Sequence, residues 1–285
     1  MSPATPDSTD PRESADERAR LLEAYDAQLR GAAEMQGSVS SDRSGPLWRG
    51  LFHTSGFVSY ESLAGLGDVD AVDALIEQTV AYFAGLPEVE EFEWKTRGHD
   101  WPPDLGERLR AHGLEPDELE TVMVGEASHL AVDVPLPEGV TVRRVDQLPD
   151  RVALVTAATE VANRVFGHGS SGEEMLERLD LMQGREQFWI AEAATASGSE
   201  IICSGRLAMV DGTEFAGVWG GSTLPEWRGK GIYRALTAAR ARAAIAEGVR
   251  YINSDCTPMS RPILERSGLV AVTTTTPYVW RRERG

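Results

Sequence analysis

The stretch TLPEWRGKGIYR, residues 223–234, constrains this chain most, because it joins a predicted strand to a long predicted helix through two glycines. Gly229 and Gly231 let the backbone approach a ligand closely. The first amide groups of a helix have no helical acceptor, and with the positive end of the helix dipole they attract an anion. The basic residues of the stretch are Arg228, Lys230 and Arg234. The stretch is therefore predicted to bind a pyrophosphate, the alternative being a glycine-rich turn without a ligand.

Two other phosphate motifs are excluded. The pattern Gly-x-x-x-x-Gly-Lys-Ser/Thr is absent from the sequence, which argues against a nucleotide triphosphatase. A dinucleotide site needs Gly-x-Gly-x-x-Gly early in a parallel strand-helix-strand unit. Here Arg234 stands in the place of the third glycine, and the run follows strands predicted to be antiparallel.

The second half of the chain is predicted to begin with a strand at 140–145 and two helices, the second capped by Ser171 and Glu174. Three strands follow, at 188–193, 201–210 and 214–223, the last two separated by the hairpin signal Asp211-Gly212. The remainder alternates helix 231–247, strand 250–254, helix 261–266 and strand 270–280. This order predicts an α/β (α+β) fold with a mixed, mostly antiparallel sheet flanked by helices.

The first half is predicted to begin with a disordered tail at 1–13, followed by a helix that the Ser14–Glu17 capping box opens. A loop at 31–45 and extended segments at 47–63 come next. Helices at 69–83 and 103–112 and strands at 89–97 and 121–124 complete this half. The segment VDVPLPEG, residues 132–139, has the composition of a linker, so the predicted domains are 14–131 and 140–285.

The excess negative charge lies in the first half. Residues 1–135 hold 27 acidic and 10 basic residues, whereas the 18 acidic and 18 basic residues from 136 onward cancel. We therefore expect neither nucleic acid nor an anionic membrane as a partner, and the first half could attract cations. With two cysteines, no apolar run of membrane-spanning length and no leader-like start, a cytoplasmic protein without a disulfide framework is expected.

From Val140 to about Trp280 the chain resembles the GNAT superfamily of acetyl-CoA-dependent N-acetyltransferases, in its order of elements and in the pattern Arg/Gln-x-x-Gly-x-Gly/Ala. Arg228 and Gly231 fill the first and fourth positions, while Tyr233 replaces the usual small residue at the sixth. The resemblance implies that acetyl-CoA is the co-substrate and a small-molecule amine, cationic if the acidic half attracts it, the acceptor. It also implies that the strand before the loop and the next parallel strand splay apart to hold the thioester. The implied coenzyme-binding residues are Ser222, Thr223, Leu224, Arg228, Gly229, Lys230, Gly231, Ile232, Tyr233 and Arg234.

A second family signature, Leu-Tyr-x-x-x-Gly-Phe, corresponds here to Leu264-Glu-Arg-Ser-Gly-Leu at its second and following positions. Leu264 thus replaces the tyrosine that usually protonates the departing thiolate. Ser260, at the start of the same predicted helix, is the nearest polar substitute, and the alternative role of Ser260 is that of a helix N-cap.

Amine attack on a thioester also needs a neutral amine and a donor for the oxyanion. Backbone amides at an irregularity around residues 219–221 are the candidate donor, since glycines in a strand mark bulges. Glu214 at the start of that strand and His168 in the loop between two helices are candidate bases, and an exposed structural role is the alternative for each. Cys256 is interpreted as a buried structural thiol, so transfer is expected to be direct, and no metal site is predicted.

A weak internal repeat links the halves: Leu109 to Leu114 (LRAHGL) echoes Leu264 to Leu269 (LERSGL). At the position of the basic loop the first half has the acidic residues Asp68, Asp70 and Asp73, which repel a pyrophosphate. The chain is therefore interpreted as two GNAT-like domains, of which the first is a degenerate copy that shapes the acceptor site or a homodimer surface, or else as an unrelated α/β domain followed by a GNAT domain. The rival functions are a non-catalytic acyl-CoA-binding regulatory protein and an interaction scaffold with an empty loop.

Overall fold

The computed structural model describes residues 11–167, 169–196 and 198–283, and within them eight helices and twelve strands. The helices are α1 Pro11–Gln28, α2 Val69–Ala84, α3 Leu105–Ala111, α4 Ala127–Leu130, α5 Arg151–Phe166, α6 Gly172–Leu181, α7 Ile232–Ala246 and α8 Arg261–Arg266. The strands are β1 Ser40–Ser44, β2 Leu47–Phe52, β3 Ser55–Tyr60, β4 Glu91–Arg97, β5 Glu115–Pro116, β6 Glu120–Glu126, β7 Val140–Arg144, β8 Glu186–Thr195, β9 Gly198–Met209, β10 Phe215–Thr223, β11 Tyr251–Cys256 and β12 Val270–Arg281.

All the strands belong to one sheet. Its order is β1-β2-β3-β4-β12-β6-β11-β10-β9-β8-β7, and the short β5 pairs with β12. The pairs β3–β4 and β10–β11 are parallel, and the other pairs are antiparallel. The predicted mixed, mostly antiparallel sheet with flanking helices is confirmed.

The two halves repeat one topological unit and exchange its last strand. The series β3-α2-β4-α3-β6 in the first half matches β10-α7-β11-α8-β12 in the second. Yet β6 pairs with β11 of the second half, and β12 pairs with β4 of the first, so the order is symmetric about the β6–β12 pair. Sequence patterns did not predict this exchange. Between the halves, residues 131–137 contain no helix or strand.

Different helices cover the two faces of the sheet. On one face, Leu21 and Tyr25 of α1, and Leu29 just after it, pack against buried residues of the central strands, among them Val122 and Val124. We call this the α1 face. On the opposite face, α2 and α3 cover the sheet of the first half, and α7 covers the centre of the second. Burial of each such leucine or aromatic side chain contributes about 1.5–3 kcal/mol, which fixes which face of each strand points inward.

Three local predictions differ from the structure. Helix α1 begins at Pro11, three residues before the capping pattern at Ser14, so the predicted tail overlaps it at 11–13 while residues 1–10 lie outside the described chain. The predicted loop at 31–45 contains a 3₁₀ turn, Gly31–Met35, and strand β1. Strand β1 (SSDRS) is polar and mostly exposed, so it has no alternation of apolar residues to reveal it. Among the described residues, no helix combines the length and apolar character that crossing a membrane requires.

Candidate functional site

Strands β10 and β11 separate where the sequence predicted a splay and a bulge. They pair only where Phe215–Gly217 faces Tyr251–Asn253, and beyond Gly217 no backbone pairing joins them. The register of β10 against β9 shifts between Trp219 and Ser222, and Gly220 takes a φ of 61°. The result is an opening in the middle of the sheet, bordered by the bulge.

The glycine-containing loop places a row of unused amides at the edge of this opening. Gly229 and Gly231 adopt φ values of 74° and 79°, and Gly231 is the N-cap of α7 without a side-chain cap. The backbone amides of residues 229–234 have no hydrogen-bond acceptor anywhere in the described chain, whereas the next amide, that of Ala235, donates to Gly231 O at 2.9 Å. A Cβ at Gly229 would meet no atom within 4 Å. The site therefore has both free donors and open space for an anion.

Three basic side chains surround these amides without acidic partners. Arg228 Nε donates to the carbonyl oxygen of Thr223 at 3.2 Å, and Lys230 Nζ lies 4.5 Å from the centre of the Trp227 ring. Arg234 is exposed in the first turn of α7. Within the residues that the structure describes, none of the three forms an ion pair, so their charge is available to a ligand.

The predicted strand-end residues support the opening through their contacts with β9. Ser222 Oγ lies 3.0 Å from Ser204 Oγ, Thr223 Oγ1 lies 3.2 Å from Cys203 Sγ, and Leu224 N donates to Ile202 O at 3.0 Å. The side chains of Ser222 and Thr223 and the backbone of Leu224 are thereby engaged on the β9 side, and beyond Gly217 no strand pairs with β10 on the β11 side.

Tyr233, the departure from the usual loop pattern, is accommodated by Gly221. A Cβ at Gly221 would lie 2.3 Å from Tyr233 Cε2, so only glycine lets the phenol ring lie directly on β10. Burial raises the pKa of Tyr233, which keeps the phenol neutral. Ile232 is buried under the same turn. These two side chains anchor the start of α7, while the amides around them remain accessible.

A cavity of about 460 Å³ lies next to the bulge and extends over the α1 face to the junction of the halves. Trp219 and Gly220 of β10 line it, together with side chains from both halves. The charged lining residues are Glu93, Lys95, Glu120, Arg178, Arg206 and Asp255. Because of the strand exchange, one cavity receives residues that are 162 positions apart in the sequence, Glu93 and Asp255.

An ion-pair chain links the halves beside this cavity. Lys95 Nζ lies 3.2 Å from Glu34 Oε1 and 2.7 Å from Asp255 Oδ2, and Arg97 Nη2 donates to Glu34 at 2.8 Å. Burial alone would raise the pKa of Glu34, but the charges of Arg97 and Lys95 outweigh it and lower that pKa to about 2. Asp255 Oδ1 is buried and has no hydrogen-bond partner among the described residues. An unpaired carboxylate oxygen thus lies on β11, beside the opening.

Glu93 has the properties of a base that works near neutral pH. Burial raises its pKa to about 7, and it makes no hydrogen bond or ion pair within the described residues. Burial also raises the pKa of Glu120. Neither carboxylate was among the residues predicted from the sequence. The available signal for Glu93 was the alternation of charged and aromatic residues in 91–95 (EFEWK), which places charges on one strand face.

Of the predicted catalytic residues, Glu214 is misplaced. It precedes β10 at the end opposite to the bulge, where its side chain accepts a hydrogen bond from Gln28 Nε2 at 3.2 Å. Trp219 is five positions farther along the chain, roughly 17 Å away in an extended strand. The prediction used the position of Glu214 at a strand end, but the bulge lies toward the other end of β10. His168 lies outside the described residues.

Ser260 lies between β11 and α8, on the side where β10 ends and α7 begins. Its side chain makes no capping bond, and its hydroxyl has no partner in the described chain. Leu264 is fully buried with Cys256 and Leu269, so that position serves packing. Burial raises the pKa of Cys203 and that of Cys256 to about 11, which keeps both thiols protonated.

Arg240, on α7, lies behind the bulge and was also missed. Its guanidinium is fully buried, and Nη1 donates to the carbonyl oxygens of Arg206 at 2.9 Å and Trp219 at 3.4 Å. No carboxylate of the described residues pairs with it, and burial lowers its pKa. It connects β9 and β10 at the pair of residues where the register shift begins.

The corresponding region of the first half is closed by its own side chains. Asp68 caps α2 by accepting a hydrogen bond from the amide of Asp70 at 3.0 Å. Arg30 donates to Tyr60 O at 3.1 Å and to Asp100 Oδ1 at 2.7 Å, while Tyr60 Oη donates to Asp100 Oδ2 at 2.7 Å. These bonds join the end of β3 to the loop after β4, where β10 and β11 stay apart in the second half.

Replacing Arg30 by methionine is expected to lower the free energy of unfolding by about 3 kcal/mol, because the buried carboxylate of Asp100 loses its charged partner. Urea titration followed by circular dichroism measures the change. The control is Arg261→Met, which removes an exposed pair with Glu265 and should cost about 0.5 kcal/mol or less. Equal losses in the two variants would contradict the structural role of Arg30.

Comparison with known proteins bears on the fold. No protein-family model matches the chain, and no curated protein is significantly similar to it in sequence. Among solved structures, a GCN5-related N-acetyltransferase from Kribbella flavida is similar with a TM-score of 0.64 and 17% identity, over 93% of this chain and 96% of that one.

Two further structures agree. A tandem GNAT protein from the clavulanic acid biosynthesis pathway is similar with a TM-score of 0.59 and 14% identity, over 97% of both chains. A GCN5-related N-acetyltransferase from Sphaerobacter thermophilus has a TM-score of 0.52 and 20% identity, over 84% of this chain and 78% of that one. The fold predicted from the resemblance, in its tandem form, is thereby confirmed.

Proposed function

We propose that this chain, which has the fold of the GCN5-related N-acetyltransferases, transfers an acetyl group from acetyl-CoA directly to an amine. The observation that supports this best is the row of free amides at residues 229–234 beside the opening between β10 and β11. An anion-binding loop next to a splayed strand pair is a suitable site for a coenzyme with a diphosphate at one end and a thioester at the other.

The donor would be held from both ends. The amides of residues 229–234 bind the diphosphate, and Arg228, Lys230 and Arg234 neutralise it. The backbone of β10 beyond Val218, which no strand pairs on the β11 side, then pairs with the amides of the pantetheine arm. This places the thioester at the bulge, where backbone amides stabilise the developing oxyanion. Arg240 keeps the bulge in shape from behind by binding the carbonyl of Trp219.

The acceptor would enter the 460 Å³ cavity as an ammonium cation. Asp255 Oδ1 accepts a hydrogen bond from its nitrogen, and Glu93 takes the proton, directly or through water. The neutral amine attacks the acetyl carbonyl, the new C–N bond forms, and the C–S bond breaks. The second proton of the amine returns to solvent, and Ser260 or water protonates the thiolate. Because both cysteines stay protonated, no covalent acetyl-enzyme is involved.

The first half would act as part of the acceptor site. Its own equivalent of the coenzyme loop is capped by Asp68, and Arg30 ties the strand ends together, so we assign one coenzyme site to the chain. The same half supplies Glu93, Lys95 and Glu120 to the cavity. It is a degenerate copy that no longer binds coenzyme and that shapes the site for the amine.

Incubation with acetyl-CoA and a pooled amine library, analysed by mass spectrometry, tests this function. We expect acetylated amine and a stoichiometric amount of free CoA. Saturable acetyl-CoA binding without transfer to any amine would instead support a non-catalytic coenzyme-binding protein. If the protein did not bind acetyl-CoA, the result would instead support an interaction scaffold.

A further inference from the structure

We infer that the amine acceptor also carries a carboxylate, which Arg178 and Arg206 bind at the cavity wall opposite Glu93. This rests on the proposed acetyl transfer and specifies the class of its acceptor. The geometry that supports it is a pair of guanidinium groups fixed on one buried carboxylate at the edge of the bulge.

Glu186 holds both arginines in place. Its side chain is 0% exposed, Oε2 accepts from Arg178 Nε at 2.7 Å, and Oε1 accepts from Arg206 Nη1 at 2.5 Å. One negative charge therefore faces two positive charges, and the group keeps a net charge of +1. The side chains of Arg178 and Arg206 are 46% and 22% exposed, so this charge is presented at the surface of the cavity.

The remaining donors of the two arginines are unused. Both Nη groups of Arg178, and Nε and Nη2 of Arg206, have no acceptor within the described residues. Arg206 Nε lies 3.6 Å from where a Cβ of Gly220 would be, and Nη2 lies 4.0 Å from it, so these donors border the bulge. Prepositioned guanidinium groups with free N–H pairs match the planar, two-oxygen geometry of a carboxylate.

The opposite side of the cavity has three carboxylates and one lysine, Lys95, whose charge is paired with Asp255 Oδ2 and Glu34. Asp255 is on β11, Glu120 on β6 and Glu93 on β4, whereas Arg206 is on β9, beyond β10. A purely cationic amine would leave the net charge of +1 on the Arg178–Glu186–Arg206 group unneutralised, and an acceptor without an amine would leave Asp255 Oδ1 unpaired. An amino carboxylate complements the charge on both sides of the cavity, with its nitrogen toward Asp255 and its carboxylate toward Arg178 and Arg206.

The test compares matched acceptors in steady-state assays with saturating acetyl-CoA. Amino acids are compared with their carboxamides and with the corresponding aminophosphonates. We expect kcat/KM for the preferred amino acid to exceed that for its carboxamide at least 100-fold. The same kcat/KM for both, or a preference for the phosphonate, would overturn the carboxylate assignment while leaving acetyl transfer intact.

Arg178→Gln separates recognition from folding, because Glu186 keeps Arg206 as its partner in this variant. We expect at least a 10-fold rise in KM for the amino acid, no more than a twofold change for the carboxamide, and unchanged acetyl-CoA affinity. The control is Arg185→Gln, since Arg185 pairs with Asp211 in an exposed hairpin outside the cavity lining. Equal loss for both acceptors would overturn the inference, and transfer to no acceptor at all would overturn it together with the proposed function.

Discussion

Replacing Gly231 by aspartate is expected to weaken acetyl-CoA binding at least 100-fold, which corresponds to about 2.7 kcal/mol. Gly231 adopts a φ of 79°, which side-chain-bearing residues rarely take, and it is the N-cap from which the free amides extend. An aspartate there offers those amides an internal anion and repels the diphosphate. Two like charges about 4 Å apart repel by about 4 kcal/mol at intermediate dielectric. Isothermal titration of acetyl-CoA into each purified variant measures the effect.

Two variants separate charge from strain in this test. Gly231→Ala introduces the backbone strain without the carboxylate. Its loss of acetyl-CoA affinity should therefore be several times smaller than that of Gly231→Asp. Gly67→Asp places the same change at a left-handed glycine, with a φ of 69°, before α2 of the first half, where a Cβ meets nothing within 4 Å. It should leave acetyl-CoA affinity unchanged. If the Gly231→Asp protein were folded and bound acetyl-CoA with undiminished affinity, the loop would not be part of the coenzyme site.

Replacing Glu93 by glutamine is expected to lower kcat by 10²- to 10³-fold at pH 8, the usual contribution of a general base. Because burial raises the pKa of Glu93 to about 7, wild-type kcat/KM should fall below that pH as the carboxylate is protonated. In the Glu93→Gln variant, kcat/KM should not show this fall below pH 7. Measuring the rates of both proteins between pH 5.5 and 9 gives kcat at pH 8 and the pH dependence of kcat/KM. If the variant had the same pH dependence as the wild type, a group other than Glu93 would be the base.

Although Glu93→Gln should lower kcat, it should raise the stability of the folded protein. The pKa of Glu93 is higher in the folded state, about 7, than in an unfolded chain, about 4.5, so the folded state binds the proton more tightly. The stability of the wild type therefore falls as pH rises from the unfolded value to the folded one. At pH 8, Glu93→Gln should raise the free energy of unfolding by roughly 2–3 kcal/mol, and at pH 4 by little.

Glu91→Gln is the matched control for both readouts. Glu91 is two residues earlier on β4, where it pairs with Arg281 at 3.2 Å outside the cavity lining. It should change neither kcat nor stability at pH 8 by more than the usual surface effect, about 0.5 kcal/mol. If the two glutamine variants changed the free energy of unfolding equally at pH 8, burial of an unpaired carboxylate at Glu93 would be contradicted.

Local signals predicted most of the second half. Apolar periodicity and turn residues identified β7 to β12, and the capping box at Ser171 is present in the structure with both of its hydrogen bonds. The bulge at residues 219–221 followed from two glycines inside a strand. The anion-binding prediction for the loop at residues 229–234 was also local, because its glycines and basic residues are adjacent in the sequence.

Long-range features could not be found in this way. The exchange of β6 and β12 depends on pairings such as Ser254 with Met123, which leave no periodic trace in either segment. The cavity proposed to bind the acceptor depends in turn on that exchange, because the exchange brings Glu93 and Glu120 of the first half beside Asp255. Glu214 was chosen from its own strand alone, and the direction of that strand relative to the bulge excluded it.

The central proposal is that backbone amides around residues 229–234 bind the diphosphate of coenzyme A. One titration tests this proposal most directly. Calorimetric binding of CoA is compared with that of pantetheine, which has the same thiol arm but no diphosphate. We expect one saturable CoA site per chain, an affinity that falls with added salt, and at least 100-fold weaker binding of pantetheine. Equal affinity for the two ligands, or no binding of CoA, would contradict the proposal.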